Sequence, residues 1–450
     1  MIRHSEKLGT EKIGTLLVQM SLPAIIGMMI NSLYNVVDTI FIGQGVGPMA
    51  IGGLAIAFPI QMLTMGFSQL VGIGAASSVS RNLGAKNVEK ADTVAGNAYT
   101  LIILISLFFA SVGLLFTDPM LRLFGATDGL IPYARDYVRV IFLGSVFFSF
   151  SMSAQYMIQA EGNAKIAMTS TLIGGLLNIA LDPLFIFGFK MGIKGAAYAT
   201  IISQFVSFVF IITFLYSGKS SLKVKLHHLR LKKDIIKEIF SVGTSAFARS
   251  ITGTIFAIVI NNSLKIYGGD IAITVFGIVN RTIAFLFLPI IGVVQGMQPI
   301  AGYNYGAKQI DRVKKVVKLA IFASTAISIL GWIIGQSVPH IIIRAFTSDK
   351  DIISQGSYAF RIIIAAIPFL GVQFVGATLF QSLGKAVPAI ILSLLRQFIL
   401  LTPLILILPR LFDLGLKGVW IAFPIADTMA VLITSALLKS EMNKISMETV

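Results

Sequence analysis

The chain reads as long apolar stretches separated by short polar punctuation. It shows neither the strict alternation of a half-buried strand nor the one-sided stripe of a helix on a water-facing domain. Stretches such as Thr100 to Phe116, Ile201 to Tyr216 and Phe398 to Leu408 carry no charge at all. A helix needs about 20 apolar residues to cross roughly 30 Å of hydrocarbon, and in lipid its backbone groups must be satisfied within the segment. The maxima therefore predict about twelve transmembrane helices, near 15–43, 50–78, 93–116, 133–160, 166–188, 193–217, 236–266, 270–302, 315–338, 355–382, 386–409 and 415–438. The expected fold is an all-α integral membrane protein. Residues 1–14 are largely polar or charged and the first apolar run is long enough to remain a membrane helix, so no cleavable signal is expected.

The pattern repeats. Ser80-Arg-Asn-Leu-Gly-Ala-Lys86 recurs as Gly302-Tyr-Asn-Tyr-Gly-Ala-Lys308, Arg122-Leu-Phe124 as Arg344-Ala-Phe346, and Arg139 as Arg361. Gln159-Ala-Glu-Gly162 recurs as Gln381-Ser-Leu-Gly384, and Gly192-Ile-Lys-Gly195 as Gly415-Leu-Lys-Gly418. All five pairs keep their order at a step of 222 or 223 residues. A repeat of this length divides the chain into an N-terminal lobe (1–217), a basic linker (218–237) and a C-terminal lobe (238–450). Six helices per half make the repeats parallel, related by an axis along the membrane normal. Two halves around a central site suit alternating access by rocking, although a duplicated channel or receptor would share the pattern.

Composition strengthens the membrane reading. Hydrophobic residues make up 56% and charged residues 12% of the 450 positions, against roughly 45–50% and about 25% in soluble domains. The formal charge of +16 is distributed by side. With the N-terminus placed in the cytoplasm, the cytoplasmic segments hold 22 Lys and Arg and the opposite segments nine. That asymmetry predicts a multi-pass protein of the cell (inner) membrane with both termini cytoplasmic, its basic side facing anionic lipid; no nucleic-acid partner is expected. Cysteine is absent, which excludes disulfides and thiolate metal sites. His227 and His228 read as solvated loop residues and a poor metal site.

Ionisable groups inside spans are costly and tend to mark a pathway or a partner. The first half holds Asp38, Asp182 and, at the end of span four, Glu161; the second holds Arg249, Arg281, Arg396 and Asp427, with Leu383 where the first has Glu161. Carboxylates in the first half predict a cation site there; the alternative is that each acid pairs with an intramembrane Arg. Asn178 and Asp182 share one helix face, and Pro183 frees a backbone carbonyl one turn back. With Thr200 these groups form an oxygen set suited to Na⁺ or to a proton–water relay. Glycines in the spans allow close helix approach, Pro23 and Pro59 would bend their helices, and the Met and Phe content could line an adaptable cavity or simply fill the core. No His-Glu-x-x-His, Gly-x-Ser-x-Gly or Walker-type loop occurs, so the chain is expected to be a secondary transporter and no enzyme.

Tyr34-Asn-Val-Val-Asp-Thr-Ile-Phe-Ile-Gly43, the duplicated Asn-x-Gly-Ala-Lys turn, Gln159-Ala-Glu-Gly162 and Asn178-Ile-Ala-Leu-Asp-Pro183 together resemble the multidrug and toxic compound extrusion (MATE) family of the MOP superfamily, in its bacterial and archaeal exporter branch. The resemblance covers about residues 10–440. It implies two six-helix lobes forming a V, and antiport of H⁺ and/or Na⁺ against organic, often cationic amphiphilic drugs, by a monomer with no cofactor. By the same resemblance Asp38, Asn178, Asp182 and Thr200 form the first-lobe cation site. Glu161 is a substrate or coupling acid, and Pro23 bends the first helix. Members that bind Na⁺ in the second lobe carry acids on helices seven, eight and ten; Arg249, Asn261, Asn262 and Arg281 stand here instead, which argues against a second-lobe cation site. Two other readings share the topology. A lipid-linked precursor flippase of the same superfamily would need a more basic central cavity, and a major-facilitator transporter would carry an acidic and basic signature between helices two and three that is not found in Arg81–Asn87.

Overall fold

In the computed structural model, which describes residues 4–447, the chain is helical almost throughout, with no strand among those residues. The spans follow the apolar runs. They are α1 (Ile13–Gly45), α2 (Pro48–Gly84), α3 (Val88–Leu115), α4 (Ile131–Ala160), α5 (Ala164–Gly188, its last five residues a π-helical turn) and α6 (Gly192–Tyr216). The second half holds α7 (233–268), α8 (270–306), α9 (Ile310–Ser337), α10 (Lys350–Ile363 with Ile367–Ser382), α11 (Ala386–Leu411) and α12 (Gly415–Met447). Between α7 and α8 the helical path turns at Gly269 alone, whose φ of 63° and ψ of −158° suit only a residue without a side chain. The tenth span is bent by 40° around Ile364–Ala366, ahead of Pro368, which cannot continue an α-helical ladder. Counted this way, the described residues hold the expected twelve spans. The seventh begins at Lys233, so the last residues assigned to the linker are already helical.

The repeat is visible in the backbone. Lys86 and Lys308, closing the two Asn-x-Gly-Ala-Lys turns, both take the left-handed conformation, at φ 59° and 58°. Short helices at Thr117–Leu123 and Pro339–Arg344 recur in the same places after α3 and α9. Each half builds its own apolar core near the end opposite the linker.

The lobes meet mainly at the linker end. Residues 71–80 of α2 and 296–304 of α8 are continuously buried, whereas the other halves of these helices are exposed at intervals. Glycine makes the approach possible. A Cβ on Gly74 would fall 2.0 Å from the Ile239 carbonyl oxygen, and one on Gly243 1.8 Å from that of Leu70. Polar contacts close the same side: Ser77 Oγ donates to the Gln381 carbonyl, Ser78 Oγ to Glu238 Oε1 at 2.7 Å, and Arg81 Nη1 to the Leu383 carbonyl at 3.0 Å. The result is a V whose vertex lies on the linker side.

Candidate cation site in the first lobe

The site is assembled by two adjacent glycines. Gly175 presses against Ile30 and Tyr34 of α1, where a Cβ would lie 2.9 Å from Ile30 Cγ2. Gly174 presses against Ser207 of α6, where a Cβ would lie 2.5 Å from its Oγ. Two turns from Gly175 along α5 stands Asp182, and one turn from Tyr34 along α1 stands Asp38. Close packing at the glycines therefore brings both carboxylates together, with Thr200 approaching from α6.

All four residues are buried, at 7% exposure for Asp38, 2% for Asn178, 0% for Asp182 and 9% for Thr200. Asn178 Nδ2 donates to Asp182 Oδ1 at 3.3 Å and to Thr200 Oγ1 at 3.4 Å. The Asp38 and Asp182 carboxyls face each other within hydrogen-bonding range. Asp38 Oδ1, Asn178 Oδ1 and Asp182 Oδ2 remain buried with no donor among the described residues. Leaving such an acceptor unsatisfied costs about 1–3 kcal/mol, more for a charged one. Three oxygens of this kind, two from carboxylates and one from an amide, are the donor set of a hard cation, and the residues present fit Na⁺ or a proton. No Arg reaches either acid among the described residues.

Sequence reasoning missed two neighbours. Tyr137 of α4 lies within electrostatic reach of both carboxylates, as Tyr34 does, and Gln61 Nε2 of α2 donates to the Tyr137 hydroxyl at 3.2 Å. Tyr34 opens the motif quoted above; Tyr137 and Gln61 carry no local signal, because α2 and α4 meet far apart in sequence.

Glu161 lies elsewhere. It caps α4 at the linker end, fully buried, and accepts from Ser220 Oγ (2.8 Å), Ser221 N (2.7 Å), Leu222 N (3.2 Å) and Asn163 Nδ2 (2.8 Å). Burial pushes its carboxyl up to about 7, against these hydrogen bonds, which favour the ionised form. Pro23 sits inside an unbroken α1. Of the two loop histidines, His227 is solvated as expected, but His228 is buried beneath Glu89. The Lys225 N–H donates to His228 Nδ1 at 3.0 Å, leaving Nε2 to donate to Glu89 Oε1 at 2.9 Å. Although Glu89, His227 and His228 cluster, that tautomer leaves His228 no free nitrogen for a metal.

The MatE family model matches residues 23–184 and again 245–407, once in each half and at the spacing of the motifs. The chain belongs to the MatE family. Among curated relatives it is 28% identical over 433 residues to the multidrug export protein MepA of Staphylococcus aureus (strain MSSA476), covering 96% of this chain and 95% of that one. Among solved structures it is 43% identical to the MATE multidrug transporter DinF-BH in complex with rhodamine 6G, with a TM-score of 0.90 over 98% of this chain and 99% of that chain. A crystal structure of MATE in the bent conformation superposes with a TM-score of 0.94 over 100% of this chain and 99% of that chain, at 24% identity, a likeness of fold alone. Membership of this family makes the chain a membrane transporter of the MOP superfamily rather than an enzyme, and removes the major-facilitator alternative.

Proposed function

We propose that this MatE protein exports amphiphilic organic compounds, organic cations among them, by alternating access of two lobes (1–217 and 238–450) joined by the linker 218–237, and that a cation entering the first lobe drives the export. The observation that carries the reading is the trio of buried oxygens on Asp38, Asn178 and Asp182 that have no donor among the described residues. Two carboxylates facing each other at membrane depth repel when both are ionised, and the repulsion is strong at low dielectric. A proton or Na⁺ between them relieves it. Binding then draws α1 onto α5, and α1 also carries the inter-lobe contact at Ser21 and Ile25 against Gly296 and Gly292 of α8. A shift of α1, with Pro23 as its weak point, is thus felt where the lobes meet.

The coupling ion in this reading is the proton, with Na⁺ able to occupy the same oxygens. Asp38, Asn178, Asp182 and Thr200 would hold the Na⁺. The basic linker side is cytoplasmic, so the V opens away from the cytoplasm, and the monomer is the working unit in the cell membrane. Export of rhodamine 6G should be measured in proteoliposomes under separately imposed pH and Na⁺ gradients. Export on a pH gradient without Na⁺ is expected. A protein driven by Na⁺ and indifferent to the pH gradient would refute proton coupling, and one driven by neither would refute the antiporter.

A further inference from the structure

At membrane depth the two halves carry opposite charge. The acids Asp38 and Asp182 are turned into the body of the first lobe, and Asp427 is taken up by Arg396. The second lobe also carries Arg249 on α7 and Arg281 on α8, and neither guanidinium has a hydrogen bond or ion pair among the described residues.

Both face the gap between the lobes. Arg249 stands on α7 between Phe247 and Ser250, which pack against Phe67 and Gly66 of α2, and the group within its electrostatic reach is Tyr156 of α4, in the other lobe. Arg281 and Phe285 precede Gly292 and Gly296 by eleven residues, three helical turns, and so share the face of α8 that meets α1. Beyond that contact both are exposed. The floor between these arginines is aromatic: Phe67 of α2 stacks on Phe247 of α7 across the lobes, with centroids 5.1 Å apart and planes 29° apart. Beside Tyr156, Gln298 Nε2 is a buried donor with no acceptor among the described residues.

We infer that the floor of the V is a binding site for the acidic group of an amphiphile, a carboxylate or sulfonate, with Arg249 as its direct partner and Arg281 contributing a weaker field from nearer the mouth. Flat apolar parts of the ligand rest on Phe67 and Phe247. An unpartnered guanidinium in a partly dehydrated crevice is the strongest anion partner a protein offers. The cleft therefore admits compounds that carry an acid, zwitterions included, alongside cations. This inference rests on the export reading above.

The test uses rhodamine 6G, an ethyl ester, and the free carboxylic acid obtained by hydrolysing it, two probes that differ by one negative charge. Fluorescence anisotropy on the purified full-length protein gives the ratio of their affinities. In Arg249→Gln that ratio should move about tenfold against the acid with the ester unchanged, the size expected for one charge-assisted hydrogen bond. Arg249→Lys should keep most of the wild-type ratio, and Arg281→Gln should move it less. An unchanged ratio in Arg249→Gln, or no binding of the acid by the wild type, would overturn the site while leaving export intact. If rhodamine 6G itself is neither bound nor exported, the export reading fails, and this site fails with it.

Discussion

The same four places in the two lobes are filled in opposite ways. One repeat step beyond Asp38 stands Ile260, and beyond Thr200 stands Ala422 or Phe423. Beyond Asn178 stands Leu400 or Leu401, and beyond Asp182 stands Leu404 or Ile405, depending on which side of the single inserted residue is counted. All of them pack in the apolar core of the second lobe. What is a cluster of unsatisfied oxygens in one lobe is hydrocarbon in the other. The second lobe keeps one membrane-depth carboxylate, Asp427, and satisfies it fully: Arg396 Nε donates to its Oδ1 at 2.6 Å and Nη2 to its Oδ2 at 3.3 Å, with the guanidinium 5.6 Å from the Phe287 ring. The difference teaches that duplication supplied a symmetric frame while the buried carboxylate cluster stands in the first half. The second lobe's membrane-depth carboxylate is held by Arg396.

The sharpest way to break this comparison is to remove charge from the first lobe. Asp38→Asn and Asp182→Asn keep shape but cannot carry the charge a coupling cation needs, and each should lower gradient-driven rhodamine 6G export at least a hundredfold while the protein still inserts and elutes as a monodisperse species. Near wild-type export by either variant would remove that acid from the mechanism and with it the contrast between lobes. In the second lobe, Arg396→Leu strands a fully buried carboxylate and should destabilise by about 3 kcal/mol. Arg396→Leu with Asp427→Leu should recover most of the loss in thermal unfolding. A double variant that regains stability but loses the response to the proton gradient would show that the pair is functional after all.

The inter-lobe contact sharpens the comparison further. Gly74 meets Gly243 at the α2–α7 crossing, and the repeat-related α1–α8 crossing places Gly296 against Ser21. Gly243→Ala forces α7 off the Leu70 carbonyl and should destabilise by about 1–3 kcal/mol, the range for overpacking, and shift spin-label distances across the linker side. Ser21→Ala should change neither by more than about 0.5 kcal/mol, because the crossing already accommodates a larger side chain. The smallest effect is expected at Glu161. Its ionised form holds the Ser221 and Leu222 N–H groups, and with its pKa raised from the ordinary carboxylate value to about 7, that form is present above pH 7 and lost as pH falls through it. Hydrogen exchange at those two amides, corrected for intrinsic rates, should therefore rise severalfold between pH 8 and 6 in the wild type. In Glu161→Gln it should be fast and flat.

Much of the frame was legible because it is written in local periodicity. The spans, the repeat step and the sharing of a face by Asn178 and Asp182 need only neighbours in the chain. The meeting of Asp38 with Asp182 was legible one level up, since two lone carboxylates in apolar helices of the same lobe need a common reason to be there. Glu161 was not legible in this way. Its partners lie about 60 residues away in a loop whose basic composition suggests solvent, whereas Ser220 and Ser221 are each only 4% exposed. Arg249 was visible as a charge, but that Tyr156 of the other lobe lies within its reach appears only once the helices are packed.

The linker has a mechanical consequence. Besides Glu161, it is fastened to α3 by Asp92 (from Lys223 N, 2.8 Å), by Thr100 (to the Leu229 carbonyl, 2.9 Å) and by Asn97, which bonds the carbonyls of His228 and Arg230 and the N–H of Lys232. Up to Lys232 the strap is fastened to the first lobe, so under the proposed alternating access the swivel would be a single joint at the start of α7. Covalent continuity upstream of that joint is then dispensable. A chain opened between Lys225 and Leu226 and expressed as two separate pieces should still assemble, copurify and transport, each severed end staying lashed to the same helix.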